Sequence, residues 1–281
     1  MPAVSRLFVS DLDGTLADRD ARLSPFTRSR LRDLIEAGLP FTVATARSVH
    51  TLAPILDGVP LRLPVVEFNG AFITDLKTRQ PLVCHALEAR VAEATIRTAL
   101  ASAVPPFVST YFRGQQHLYP PRSLVNAGIA WYDARRRAAR DTRLRGAVDP
   151  LTLLDQALVC LTLIGERERL APIARAIESD FPGLTHCLLY ENAYQPGWHW
   201  LTVQSVFASK AHGLRALAQG AGVALAAATV FGDEVNDIPM FELAGRGVAV
   251  ENAIDDLKRI AHEIIGPHHG DSVVRYLMDA V

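Results

Sequence analysis

Hydrophobic and polar positions follow two different rhythms along this chain. Short, mostly apolar runs recur near both ends: RLFVS at 6–10, LPFTVAT at 39–45, LPVVEF at 63–68, AAATVF at 226–231 and RGVAV at 246–250. Apolar runs bounded by turn residues predict strands buried on both faces. Between them, apolar residues return at helical spacing. SPFTRSRLRDLIEAG (24–38) has Ser24 as N-cap, Pro25 at the first helical position and Gly38 as a stop. SVHTLAPIL (48–56), SKAHGLRALAQGAG (209–222), NDIPMFELAG (236–245), AIDDLKRIAHEI (253–264) and DSVVRYLMDA (271–280) predict further helices. Strands separated by helices imply right-handed βαβ units and a parallel sheet.

The middle of the chain keeps a different order. HALEARVAEATIRTALAS predicts a helix, PFVSTYF and QHLYP neighbouring strands, QALVCLTLIG a strong strand, RERLAPIARAIESDF a helix and LTHCLLYE a strand. HWLTVQ (199–204) reads as the strand with which the outer pattern resumes. The predicted fold class is therefore α/β. A Rossmann-like parallel-sheet core over 1–81 and 193–281 would carry an inserted α/β domain over 82–192.

Composition narrows the partners. The chain has 281 residues, 49% hydrophobic and 21% charged, with a formal net charge of −1. That balance gives no general attraction to nucleic acid or anionic membranes. The local exception, DARRRAARDTRLR at 133–145, reads more readily as a solvated helix face than as an anion site. Cys84, Cys160 and Cys187 are odd in number and widely spaced, which predicts reduced thiols and a cytoplasmic setting. No signal-peptide pattern is seen at the N-terminus, and VALAAATVF (223–231) is too short to span a bilayer.

The chemistry collects where the strands end. In an open parallel sheet, ligands bind beyond the carboxyl ends of the strands. There RLFVS delivers Asp11 and Asp13, FTVAT delivers Thr45, VVEF leads to Asn69, and ATVFG leads to Asp233, Asn236 and Asp237. Lys210 opens the helix after HWLTVQ. Clustered carboxylates repel unless a cation lies between them. Oxygen ligands with room for water suit Mg²⁺. A Mg²⁺ ion, a lysine and a threonine hydroxyl together fit a phosphoryl group, and an aspartate can attack phosphorus directly. Asp11 and Asp13, two apart in an extended segment, are expected to face the same way.

DLDGTLAD (11–18), Thr45 in VATAR, Lys210 in ASKAHGL and GDEVNDIPM (232–240) resemble the four motifs of the haloacid dehalogenase-like hydrolase superfamily. FNGAFITD (68–75) is similar to the Cof-type branch, whose members carry a large α/β cap between the second and third motifs. The resemblance implies Asp11 as nucleophile and Asp13 as general acid and then base, with its pKa raised by burial and like charge. It implies Mg²⁺ on Asp11, the Asp13 carbonyl and Asp233, with Asp237 and Asn236 in support. Thr45, Arg47, Asn69 and Lys210 would contact phosphate or substrate, and the amides of Gly14 and Thr15 would approach it. Thr45-Ala46-Arg47 departs from the usual Thr-Gly-Arg, and a glycine there for positive φ would leave Ala46 strained. The implied activity is hydrolysis of a small phosphorylated metabolite, a sugar phosphate or a nucleotide- or flavin-related monophosphate. The rivals are a sugar phosphomutase of the same superfamily, a phospho-acceptor signalling module and a silent binding protein. A monomer is plausible.

Overall fold

The structure is a computed structural model that describes residues 6–192 and 195–280. The first five residues, and the start of the outer segment predicted at 193, fall outside the described residues. The chain divides into two compact units: Met1–Val83 with Ala208–Val281, and Cys84–Phe207.

In the first unit the elements begin with β1 (Leu7–Ser10), α1 (Pro25–Glu36), β2 (Phe41–Val43) and α2 (Val49–Leu52). Next come β3 (Val65–Glu67), β4 (Phe72–Asp75) and β5 (Gln80–Cys84). Ser24 caps α1 as its sequence predicts, accepting the Thr27 N–H with Pro25 opening the helix. β3, β4 and β5 form a small three-stranded sheet, β3 and β4 antiparallel across the Phe68–Gly70 turn.

The middle unit comprises α3 (Ala89–Ala101), β6 (Phe107–Phe112), β7 (Gln115–Tyr119), α4 (Ala127–Ala138) and β8 (Ala157–Gly165). It ends with α5 (Arg167–Asp180), β9 (Thr185–Glu191) and β10 (His199–Ser205). Its sheet runs β7-β6-β8-β10-β9, with every pairing antiparallel. Val91, Ile96, Leu161, Leu163, Ile173, Ile177, Leu201 and Val203 form its main core. HWLTVQ thus belongs here and not to the outer unit. Paired between β8 and β9, it buries Leu201 and Val203 in the main core on one face and Trp200 against Ile129, Trp131 and Tyr132 on the other. The basic stretch is only partly a solvated face. Arg143 is buried and pairs with Asp141 at 2.7 Å, and Arg137 pairs with the buried Asp133.

The first unit resumes with α6 (Lys210–Ala221), β11 (Ala228–Gly232), α7 (Ile238–Leu243) and β12 (Arg246–Val250). It closes with α8 (Asp255–Ile260), β13 (Glu263–Ile265) and α9 (Ser272–Ala280). The predicted 253–264 helix stops early. Glu263–Ile265 instead pairs in parallel with Val248–Val250 and closes the sheet edge. The main sheet, β13-β12-β11-β1-β2, is wholly parallel. α1 packs with α9, while α6, α7 and α8 form a second group, as the two covering layers of a doubly wound sheet require. Leu7, Val9, Val43, Val230, Phe231 and Val248 fill its core.

Candidate active site

Adjacent β1 and β11 end side by side, with Ser10 opposite Phe231 and the Asp11 N–H donating to the Phe231 carbonyl at 2.9 Å. That register sets Asp11 and Asp233 on neighbouring loops. Thr15 ties the loops together, its hydroxyl donating to Asp233 Oδ1 at 2.8 Å. Gly14 lies against the same carboxylate at φ +76°, where a Cβ would come within 2.2 Å of Asp233 Oδ2. Only glycine fits so close an approach at that φ.

Lys210 reaches this cluster from the first turn of α6, where Ser209 is the N-cap. Its ammonium is fully buried, 2.5 Å from Asp11 Oδ1 and 2.6 Å from Asp237 Oδ1. The other oxygen of Asp237 accepts the N–H groups of Asp233 and Glu234. Asp237 therefore orients the lysine and caps the Asp233 loop with one carboxylate. Gly70, at φ +110°, lets the Ser209 backbone in, since a Cβ would lie 2.3 Å from the Ser209 carbonyl oxygen.

Thr45 follows β2 and is buried, its hydroxyl accepting the Arg47 N–H at 3.1 Å. Its backbone pairs with Val66 and Asn69. Asn69 is buried at φ 56°, and its side-chain oxygen accepts from Asn236 Nδ2 at 3.0 Å. Ala46 is not among the positive-φ residues, so the replacement of glycine there carries no backbone strain.

Asp13 departs from the sequence reading. It is neither buried nor among the other carboxylates. Its side chain is 42% exposed, and the Arg47 guanidinium holds it through two bonds of 2.6 and 2.7 Å. The loop turns after Asp11, so the two side chains meet different cations. The third member of the carboxylate cluster is Asp237. Ligand oxygens of Asp11, Asp233 and Asp237 lie within 4.8 Å of one another.

Three carboxylates around one ammonium leave an excess of buried negative charge. Burial, reinforced by Asp237 and Asp233 against the pull of Lys210, raises the Asp11 carboxyl well above its ordinary range. Burial and then Asp237 push Asp233 up to about 7. Lys210 moves the other way from a buried amine: burial acts to lower it, but Asp11 and Asp237 outweigh that and raise it. A second cation beside Asp11 and Asp233 would relieve this imbalance, and all-oxygen donors suit a hard divalent ion. The residues present therefore fit Mg²⁺.

A testable consequence follows for stability. A carboxyl whose folded pKa exceeds its unfolded value of about 4 binds its proton more tightly in the folded chain. Its contribution is full below about pH 4 and is lost as pH rises through the folded value. Metal-free protein should thus melt several degrees lower at pH 8 than at pH 5.5, and Mg²⁺ should remove most of the difference. Calorimetry in chelator and in Mg²⁺ checks this, and equal melting temperatures in chelator at the two pH values would refute it.

Three supporting residues escaped the sequence reading: Thr15 as a hydroxyl donor, Glu67 and Asn252. Glu67 is fully buried and accepts the Thr74 hydroxyl and the Val49 N–H, tying the chain after Arg47 to β3. Its signal was a glutamate closing the apolar run VVE.

The main sheet is wholly parallel, acidic loops follow two of its neighbouring strands, and a buried lysine bonds a carboxylate of each loop. The chain belongs to the haloacid dehalogenase-like hydrolase family, whose sequence profile matches residues 8–277. It is an enzyme of the phosphatase kind. It is 26% identical over 283 residues to the 5-amino-6-(5-phospho-D-ribitylamino)uracil phosphatase YitU of Bacillus subtilis, covering 97% of this chain and 96% of that one. It is also 26% identical over 274 residues to the HMP-PP phosphatase of Serratia proteamaculans, covering 97% and 94%. A crystal structure of a haloacid dehalogenase-like hydrolase from Bacteroides thetaiotaomicron shares the fold. The TM-score is 0.78 at 21% identity, over 99% of this chain and 100% of that chain. The family resemblance and the α/β fold class drawn from the sequence are thus borne out. No helix of the described residues is long and apolar enough to cross a membrane.

Proposed function

We propose that the protein is a Mg²⁺-dependent cytoplasmic phosphatase that hydrolyses a small phosphorylated metabolite through an aspartyl-phosphate on Asp11. The observation that carries this reading is the buried Lys210 ammonium held between Asp11 and Asp237, beside Asp233. Lys210 occupies Asp11 Oδ1, which leaves Oδ2 as the attacking oxygen. That oxygen bonds to phosphorus as the ester P–O bond breaks, and Asp13, once it has left Arg47 and taken up a proton from solvent, gives that proton to the departing oxygen. Asp13 then takes a proton from the water that attacks the aspartyl-phosphate, which releases phosphate and restores Asp11. To act, Asp13 must exchange its Arg47 partner, and Arg47 is then available to substrate oxygens. Thr45 and Lys210 bind the phosphoryl oxygens, with Asn69 and Asn236 bracing one another nearby. A bound Mg²⁺, held by Asp11, the Asp13 carbonyl and Asp233, would neutralise charge on the transferring group. Asp237 works one layer back, fixing Lys210 and the Asp233 loop.

The middle unit, Cys84–Phe207, is the proposed cap that selects the substrate. The proposed substrate is a sugar phosphate or a nucleotide- or flavin-related monophosphate, a reading supported by the Bacillus subtilis relative named for a phosphorylated ribitylamino-uracil. Phosphate release from a panel of such compounds, with Mg²⁺ and with chelator, tests the proposal. Mg²⁺-dependent release from one compound class is expected. Isomerised sugar phosphate without free phosphate would turn the reading to a phosphomutase. An aspartyl-phosphate lasting minutes would turn it to a phospho-acceptor module.

A further inference from the structure

The loop between β12 and α8 touches both acidic loops. The Ile254 N–H donates to the Asp233 carbonyl at 2.9 Å. Two residues earlier, Asn252 Nδ2 donates to the Gly14 carbonyl at 2.8 Å, across 238 positions of sequence. Asn252 Oδ1 accepts twice from His268, from its backbone N–H at 3.0 Å and from its ring Nδ1 at 2.8 Å. These partners fix the amide orientation. An Nδ2 facing a carbonyl must be the donor, so Oδ1 is the acceptor and His268 carries a proton on Nδ1.

Gly14 is where the site has least slack. It has a positive φ and lies against Asp233 with no room for a Cβ. The Gly14–Thr15 peptide is gripped at its carbonyl by Asn252, while its N–H faces the Leu12 carbonyl at 3.4 Å. On one side of that peptide lies the Asp13 main chain. On the other lies Thr15, whose hydroxyl bonds Asp233. A rotation of this one peptide would move both.

We propose that Asn252 is a positioning residue for the nucleophile loop, and that His268 orients it. Neither touches the reacting atoms. Asn252 clamps the Gly14–Thr15 peptide so that the Asp13 main chain and the Thr15 hydroxyl keep their places relative to Asp233. His268 acts only through Asn252. The proposal rests on the phosphatase reading of the site.

Asn252→Asp tests it, since it keeps the shape and the acceptor for His268 but loses the donor to Gly14. The expected result is a fall in kcat of about 10-fold, with KM within about twofold and an unchanged melting temperature. His268→Ala should cost less. Asn252→Ala combined with His268→Ala should be no worse than Asn252→Ala alone, because both lie on one path. Hydrogen exchange over residues 11–17 should quicken in Asn252→Asp. Wild-type kcat in Asn252→Asp, or independent, multiplying losses in the double variant, would overturn the proposal. Should the wild-type protein release no phosphate, the function reading fails by itself. The exchange measurement still decides the clamp: unchanged protection of residues 11–17 in Asn252→Asp would overturn it.

Discussion

Asp11→Asn is expected to abolish turnover, lowering kcat by at least about 10⁴-fold, because an amide has no nucleophilic oxygen to form the covalent intermediate. The fold should survive. Asp11 is buried and its carboxyl is raised by that burial and by two like charges. A neutral side chain of the same shape removes one of three carboxylates competing for one ammonium. In chelator the variant should therefore melt no lower than wild type, and its dependence on Mg²⁺ for stability should shrink. Steady-state phosphate release and calorimetry read the two effects separately. Turnover that persisted in Asp11→Asn would end the covalent mechanism.

Lys210→Met should have the largest effect on stability. The methionine replaces the lysine at similar length, but Asp11 and Asp237 lose their only direct cation among the described contacts. Removing one partner of a buried ion pair costs about 3–5 kcal/mol, because it strands the opposite charge. Here two carboxylates are stranded, and one of them also caps the Asp233 loop. Activity should vanish as well. Adding Asp11→Asn to Lys210→Met should recover part of the stability, since one stranded charge disappears. Urea titrations of the single and double variants measure this coupling. A Lys210→Met protein as stable as wild type in chelator would show that the ammonium does not hold the cluster.

The sequence exposed much of this site because a parallel sheet brings its strand ends to one edge. Apolar runs located β1, β2, β3 and β11, and the polar residues that closed them were the ones brought together. Periodicity does not report on side-chain partners. Asp13-Gly14 signals a turn, but the dipeptide does not say where the Asp13 side chain goes, so Asp13 was expected among the carboxylates. Its bidentate grip on Arg47 depends on a loop conformation that no spacing encodes. Asp237 was legible as a supporting residue, but its double duty arises from a short helical turn, Val235–Asp237, which folds its carboxylate back on the chain. HWLTVQ and HEII misled in the same way. Each is apolar enough for either placement, and only the available partner strand decided: β8 and β9 for the first, the open edge of β12 for the second.

The central position of β1 also bears on the order in which the protein is made. Of the two neighbours of β1, β2 follows closely in the chain, but β11 begins more than two hundred residues later. At about 5–20 residues per second, that interval is roughly 10 to 45 seconds. Until then the apolar strand β1 has one edge whose backbone N–H and C=O groups lack their strand partner, and Asp11 lacks the lysine 199 positions downstream. A nascent chain stalled before Ala228 would carry the nucleophile on an unpaired strand, the feature that invites pairing with another chain. The arrangement that unites the reactive groups from the two ends of the sequence thus leaves the nucleophile's strand half-paired until the segment from Ala228 has been made.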